Sequence, residues 1–205
     1  MGQATSLPAA AAPRATGRGL HVLVDLDNAA FGVGRTKNDM DYACMERRVS
    51  ALHEAARSMS PRGHAAAVRL FCNRATRALL VRNGFPRMAE VHAIADNAPD
   101  GADHALLRQL LRLRDGQAAV VVTSDRTLAR LATYLRPDGL RFATFGSCDR
   151  VVVRERDRFA PLAFRDAAEL DRFAESLRVF RERSAHTRAD GRSAPPPPKG
   201  AVPVA

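Results

Sequence analysis

The run HVLVDLDNAA, residues 21–30, packs two aspartates and an asparagine against the end of an apolar strand-like segment. Asp25, Asp27 and Asn28 there have the chemistry of a nucleophile, part of a metal cage, or a polar turn. A second apolar run, AAVVVTSD, ends in Ser124 and Asp125. A third acidic pair, Asp100 and Asp103, opens a helical pattern at GADHALLRQLL. Carboxylates brought together repel one another, so protons or divalent cations must neutralise them. With oxygen donors and no His or Cys among them, the set suits Mg²⁺ or Mn²⁺. Each piece also has a plain structural use. Asp100 suits a helix N-cap with Asp103 in the first turn, Asp125 suits a cap for the helix beginning near Arg126, and Asp27-Asn28 suits a turn.

The elements that must position these acids alternate. Strands are expected at 20–26, 64–73, 89–95, 118–125 and 140–146. Helices are expected at 40–59, 74–84, 101–116 and 126–139. Met45, Val49, Leu52 and Ala56 fall at helical spacing. Leu106, Leu107, Leu110, Leu111 and Leu113 form one broad apolar face. Gly84 stops the second helix, and Pro137 and Gly139 end the fourth. Such alternation predicts an α/β fold, a three-layer sandwich around a mainly parallel sheet, whose functional crevice lies beyond the carboxyl ends of the strands. The acids converge there if the first and fourth strands are neighbours.

Outside this block, residues 1–19 read as a flexible leader without the apolar core of a secretory signal. MGQATS meets the loose myristoylation pattern through Gly2 and Ser6. The domain is placed at 20–150. An extension follows at 151–184, with an amphipathic helix at 166–183 carrying Leu170, Phe173, Leu177 and Phe180. Residues 185–205 read as a Pro-rich disordered tail. The helix at 166–183 is the candidate surface for a second copy of the chain or another protein.

The 205 residues are 46% apolar and 26% charged, enough for a soluble domain with its own core. Cys44, Cys72 and Cys148 are odd in number and show no CxxC spacing, which argues against a disulfide framework or zinc site. Buried thiols in a reducing cytoplasm fit better. No apolar run is long enough for a membrane helix. Net charge is +10, and every basic residue except Lys37 and Lys199 is arginine. The balance is compatible with a nucleic-acid partner, though an arginine-rich composition also follows from base composition alone.

Two families begin this way. VLVDLDNAA resembles the nucleophile motif DxDx[TV] of haloacid dehalogenase-like phosphatases through Asp25 and Asp27, and VVVTS resembles their second motif. The pattern then departs, with Ala29 at the Thr/Val place and no lysine until Lys199 for the phosphoryl oxygens. The second resemblance, across residues 20–146, is to the NYN branch of the PIN-like nucleases. DLDN (25–28) meets its D-x-[ED]-N pattern, GADHALLRQLL resembles its middle helix through Asp103, and VVVTSDRTLARLATYLRPDGLRFATFG resembles its fourth strand, helix and last strand through Asp125.

The NYN resemblance implies metal-dependent hydrolysis of a phosphodiester, of RNA in preference to DNA. In it Asp25, Asp103 and Asp125 are metal ligands and catalytic residues. Asp27 and Asp100 are accessory acids, and Asn28 and Ser124 are neutral groups suited to hold a ligand carboxylate or a phosphate oxygen. The implied metal acidifies a bound water and polarises the scissile phosphate. Arg35 and Lys37 in the loop GVGRTKND (32–39), with Arg126, are the expected phosphate contacts. Thr127 stands where the family often carries a further Asp. That departure favours the alternative of a nucleic-acid-binding or interaction module with the same fold and little or no catalysis.

Overall fold

The structure is a computed structural model that describes residues 19–29, 42–60, 67–82, 90–93, 100–114, 116–145 and 150–190. Both tails beyond these bounds, Gly84 and the loop carrying Arg35 and Lys37 lie outside the described residues. The chain divides into two compact units, Met1–Leu162 and Ala163–Ala205.

The first unit is built on one sheet. Its strands are β1 (Leu20–Asp25), β2 (Ala67–Cys72), β3 (Glu90–Ala93), β4 (Ala118–Val122), β5 (Leu140–Phe145) and β6 (Val151–Arg154). Their order is β3-β2-β1-β4-β5-β6. All neighbours are parallel except β5 and β6, which pair antiparallel, Phe142 with Arg154 and Phe145 with Val151. The helices are α1 (Leu26–Ala29), α2 (Tyr42–Met59), α3 (Arg74–Arg82), α4 (Gly101–Leu111), α5 (Arg126–Leu135) and α6 (Arg156–Phe159).

This is an α/β fold with a mainly parallel central sheet, as the alternation predicts. β1 and β4 do lie side by side, Val22 opposite Val120 and Val24 opposite Val122. From β1 the sheet runs one way through β2 and β3 and the other way through β4 and β5, so the winding reverses between β1 and β4. A crevice opens at such a reversal because the flanking connections leave in opposite directions.

Side-chain alternation sorts the core into two faces. On one, Leu20, Val22 and Val24 of β1 join Val68, Leu70, Val120 and Val122, and Met45, Val49, Leu52 and Ala56 of α2 pack in the same cluster. All four of those α2 residues are buried, as their spacing requires. The alternate strand residues Leu23, Phe71, Val121 and Phe142 are equally buried, and α4 lies against β1 and β2. Within α4 and just beyond it, Leu106, Leu107, Leu110 and Leu113 are buried, but Leu111, placed on the same face by the sequence, is 44% exposed. Helices against a mainly parallel sheet buried on both faces are compatible with a three-layer sandwich.

Two elements depart from the expected layout. β6 and α6 fall where the sequence was read as an extension beyond 150, yet β6 is the sheet's sixth strand, and the first unit reaches Leu162. After α5 the chain turns into β5 through Gly139, whose φ of +67° disfavours an L side chain; a Cβ there would sit 3.2 Å from the Gln117 carbonyl oxygen.

The second unit contains α7 (Ala167–Asp190), which extends past the expected end at 183. Phe173, Leu177 and Phe180 are buried, and Phe173 packs its ring 5.2 Å from that of Phe164. Leu170, from the same apolar repeat, is 47% exposed. Arg178 bridges Glu175 and Glu182 on the outer surface.

Candidate functional site

β1 ends at Asp25, whose side chain is 1% exposed at the sheet's carboxyl edge. A carboxylate so placed needs donors, and three come to it. The Thr123 hydroxyl donates to Asp25 Oδ2 at 2.7 Å, the Asn28 side-chain amide donates to the same oxygen at 2.7 Å, and the Asn28 backbone N–H lies 3.4 Å from Oδ1. Burial raises the Asp25 pKa above the ordinary aspartate value. The bonds from Thr123 and Asn28 oppose that rise, and the Asp125 charge adds to it.

Asp125 follows β4 in extended conformation and caps α5. Its Oδ1 accepts from the backbone N–H groups of Thr127 at 2.6 Å and Leu128 at 3.3 Å. The cap expected from the sequence is therefore present, and it occupies only one of the two carboxylate oxygens. Arg126 opens α5 and is exposed. Ser124 is exposed too, with its hydroxyl 3.5 Å from the Asn28 carbonyl oxygen.

Asp103 lies in the first turn of α4 and is half-buried. Burial pushes its pKa up to about 8, and the negative charges of Asp25, Asp125, Asp100 and Asp27, in that order, push in the same direction. The aspartates of β1, β4 and α4 thus act on one another electrostatically. Asp100 precedes α4 in a left-handed conformation, φ 56°, and makes no side-chain cap bond. It is exposed, so the N-cap use expected of it is not what its side chain does.

Asp27 has a different occupation. Its Oδ2 accepts from the Asn73 backbone N–H at 2.9 Å and the Asn73 side-chain amide at 3.1 Å, and its Oδ1 accepts from the Thr76 hydroxyl at 2.7 Å. Asn73 in turn accepts from the Thr76 N–H at 2.9 Å. Asp27 therefore ties α1 to the start of α3. Asn73 and Thr76, which sequence reasoning passed over, give this strut its donors.

Thr123 was also passed over in favour of its exposed neighbour Ser124. The signal was in the register: Val24 pairs with Val122, so the next residues along the two strands, Asp25 and Thr123, come side by side.

The oxygen-only donors and the mutual repulsion at Asp103 suit a hard divalent cation. Among the described residues, however, no group of three or more His, Cys, Asp or Glu side chains is close enough to hold one ion. A closed three-carboxylate cage is therefore not formed by these residues as they stand. Mg²⁺ is ordinarily held by one or two carboxylates, with waters and substrate phosphates filling the other positions.

Cys72, at the end of β2, is buried, and its thiol is pushed up to about 12, first by burial and then by Asp27. A thiol so raised stays neutral at ordinary pH. No helix among the described residues is long and apolar enough to cross a membrane. Compared with family models, curated proteins and solved structures, the chain matches none.

Proposed function

We propose that the protein is a metal-dependent nuclease that hydrolyses phosphodiesters, RNA in preference to DNA, on a PIN-like fold of the NYN type. The observation that carries this reading is the neighbouring of β1 and β4. It brings Asp25 and Asp125 to the point where the sheet's winding reverses, with Asp103 of α4 under their combined repulsion. Acids gathered at that crevice cost stability, and a cation with a bound phosphate would offset the cost.

In this reading Asp25, Asp103 and Asp125 hold Mg²⁺ or Mn²⁺, one or two of them directly. When bound, the ion supplies Lewis acidity at the scissile phosphate and lowers the pKa of a bound water. Asn28 and Thr123 hold the Asp25 carboxylate in place. Asp125 would contribute its second oxygen to the ion while Oδ1 keeps α5 capped. Arg126, with Arg35 and Lys37 from the stretch that follows α1 in sequence, contacts the phosphate backbone without reading bases. Asp100 is close enough to raise Asp103 and adds negative charge at the rim. A cytoplasmic setting agrees with the buried thiol of Cys72.

A second reading, a nucleic-acid-binding module without catalysis, is favoured by one observation, the lack of a closed three-carboxylate group among the described residues. Thr127 in place of a further acid leans the same way. The phosphatase reading is weaker. Its motif departs at Ala29, no lysine follows until Lys199, and both oxygens of Asp27, one of the two motif acids, are engaged by Asn73 and Thr76. The deciding experiment incubates the purified protein with single- and double-stranded RNA and DNA, with Mn²⁺ and with a chelator. Mn²⁺-dependent, chelator-sensitive cleavage of RNA is expected. Binding without cleavage would select the second reading.

A further inference from the structure

We infer that the outer face of α3, through Arg74, Arg77 and Arg82, is a second phosphate-contacting surface, onto which a nucleic-acid strand runs after crossing the sheet's carboxyl edge toward β2. The inference rests on the proposed nucleic-acid substrate and adds the direction in which the strand leaves the acids.

α3 has the sequence RATRALLVR, with no acidic residue. An α-helix turns by about 100° per residue, so Arg74, Arg77, Ala78, Val81 and Arg82 share one side of it, and Thr76 and Leu80 lie on the other. Thr76 and Leu80 are buried, whereas all three arginines are exposed. Val81, in their midst, is 62% exposed, so none of the described residues covers this face. Among the described residues none of the three arginines makes an ion pair. Asp27, the acid beside the start of α3, is not their partner, because both its oxygens accept from Asn73 and Thr76. Nor do the charges all serve the helix. Arg82, in the last turn, suits the helix dipole, but Arg74, at the first position, opposes it.

Register puts this face next to the acids. β2 pairs with β1, Phe71 opposite Asp25, and α3 starts just beyond the end of β2 at Cys72. Asp27 and Arg77 both act on the Cys72 thiol, in opposite directions, so Arg77 stands at the same edge as the acid. On the other side of β1, Arg126 opens α5 after β4. Exposed arginines therefore begin the helices that follow both neighbours of β1, and a polyanion crossing the acids from α5 meets α3. Phosphate is the group the face suits. A guanidinium offers donors in a planar fork that matches a phosphate. α3 carries no aromatic side chain on which bases could stack, and too little apolar surface to enter a lipid bilayer.

The test measures binding of oligouridines of about 4 and about 16 nucleotides, the range of site sizes of single-strand binders, by fluorescence anisotropy in chelator. It compares the full chain, the combined variant Arg74→Ala, Arg77→Ala, Arg82→Ala, and a control with the same charge loss at exposed positions of α2 and α7, Arg57→Ala, Arg172→Ala, Arg181→Ala. Thermal unfolding checks each protein. The longer RNA reaches α3 in addition to the contacts at the acids. At about 0.7 per phosphate contacted, its slope of log affinity against log salt is expected to exceed that of the shorter RNA by about 2. The α3 variant is expected to lose that increment and still bind the shorter RNA within about threefold of the parent, and the control is expected to keep it. If the alanine variant does not fold, glutamine at the same three positions removes the charges and keeps the side-chain length. A folded α3 variant with the parental slope on the longer RNA, or a control that loses as much, would overturn the inference and leave the nucleic-acid reading standing. If that α3 variant instead loses binding to a polyglutamate peptide, the face belongs to an acidic protein partner. A parent chain that binds neither RNA nor DNA would overturn both the inference and the reading beneath it.

Discussion

At the scale of single residues, two aspartates carry predictions whose signs the geometry decides. Asp125 caps α5 through Oδ1 and is, in the proposed function, also a metal ligand, and two substitutions separate these roles. Asp125→Asn keeps the amide oxygen that caps α5, and Asn caps about as well as Asp, so thermal stability should change little. Mn²⁺-dependent cleavage should fall by about 100-fold or more, because a lost interaction of a few kcal/mol in the transition state is worth that factor. Asp125→Ala should lose the same activity and also about 1 kcal/mol of stability with the cap. Full cleavage in a folded Asp125→Asn protein would remove this residue from the ligand set. Asp103 predicts a pH dependence. Unfolded, it gives up its proton near 3.8, and folded it keeps the proton to about 8, so the folded chain binds more protons between those values. Stability of the metal-free protein should therefore fall as pH rises through that window, by an amount on the order of a few kcal/mol. Asp25, raised for the same first reason of burial, acts in the same direction. His21 opposes them below its ordinary value of 6.5, because burial and then Arg69 and Arg136 lower its folded pKa. The interval from pH 6.5 to 8 is thus where the carboxylate effect stands clear. Asp103→Asn should raise the melting temperature at pH 8 and change it much less at pH 5. Equal shifts at both pH values would refute the assignment.

At the scale of elements, Asp27 is the informative residue, because its type suggested chemistry and its partners make it a strut. It joins α1 to the first turn of α3 through three donors, and Thr76 is 1% exposed. Asp27→Ala would strand those donors, at a cost of about 1–3 kcal/mol for a group left unsatisfied. Mn²⁺ affinity should be nearly unchanged in the variant; strong loss of Mn²⁺ affinity at parental stability would instead make Asp27 a ligand. The contrast explains what the sequence could and could not disclose. β1 and β4 were legible because a parallel strand covered on both faces must be a continuous apolar run, as VLV and AAVVV are. α2 was legible because Met45, Val49, Leu52 and Ala56 recur at the helical period. β6 was not, since the four residues Val151–Arg154 are too few to show a period, and their burial is partial. Thr123 and the Asn73–Thr76 corner were hidden for another reason. Their roles come from partners 98, 46 and 49 residues away, which only the strand register brings together. The acids at the edge could be found one at a time from local pattern, but which of them is a strut and which a candidate ligand depends on those distant donors.

For the whole molecule, the chain is strongly basic, net +10, while the groups named at the carboxyl edge of β1 and β4 are acidic. A polyanion would be drawn to the surface by the first property and held off the crevice by the second unless a cation sits there. Affinity and catalysis should accordingly answer to different variables. Binding to single-stranded RNA, measured by fluorescence anisotropy in chelator, should be governed by counterion release, with a slope of log affinity against log salt of about −0.7 per phosphate contacted. Three contacts, from Arg35, Lys37 and Arg126, give a slope of about −2, hence a loss of at least about tenfold in affinity between 50 and 200 mM salt. Arg126, exposed at the first position of α5, is the contact whose placement is described. Arg126→Ala should make the slope shallower by about 0.7 and weaken binding similarly for unrelated sequences, since a phosphate contact reads no base. Asp125→Asn, one residue away, should leave that slope unaltered in chelator and tighten binding slightly, because it removes a negative charge near the strand's path. Affinity that is independent of salt, or an Arg126→Ala variant that discriminates among sequences, would show that the basic surface does not follow the phosphate backbone.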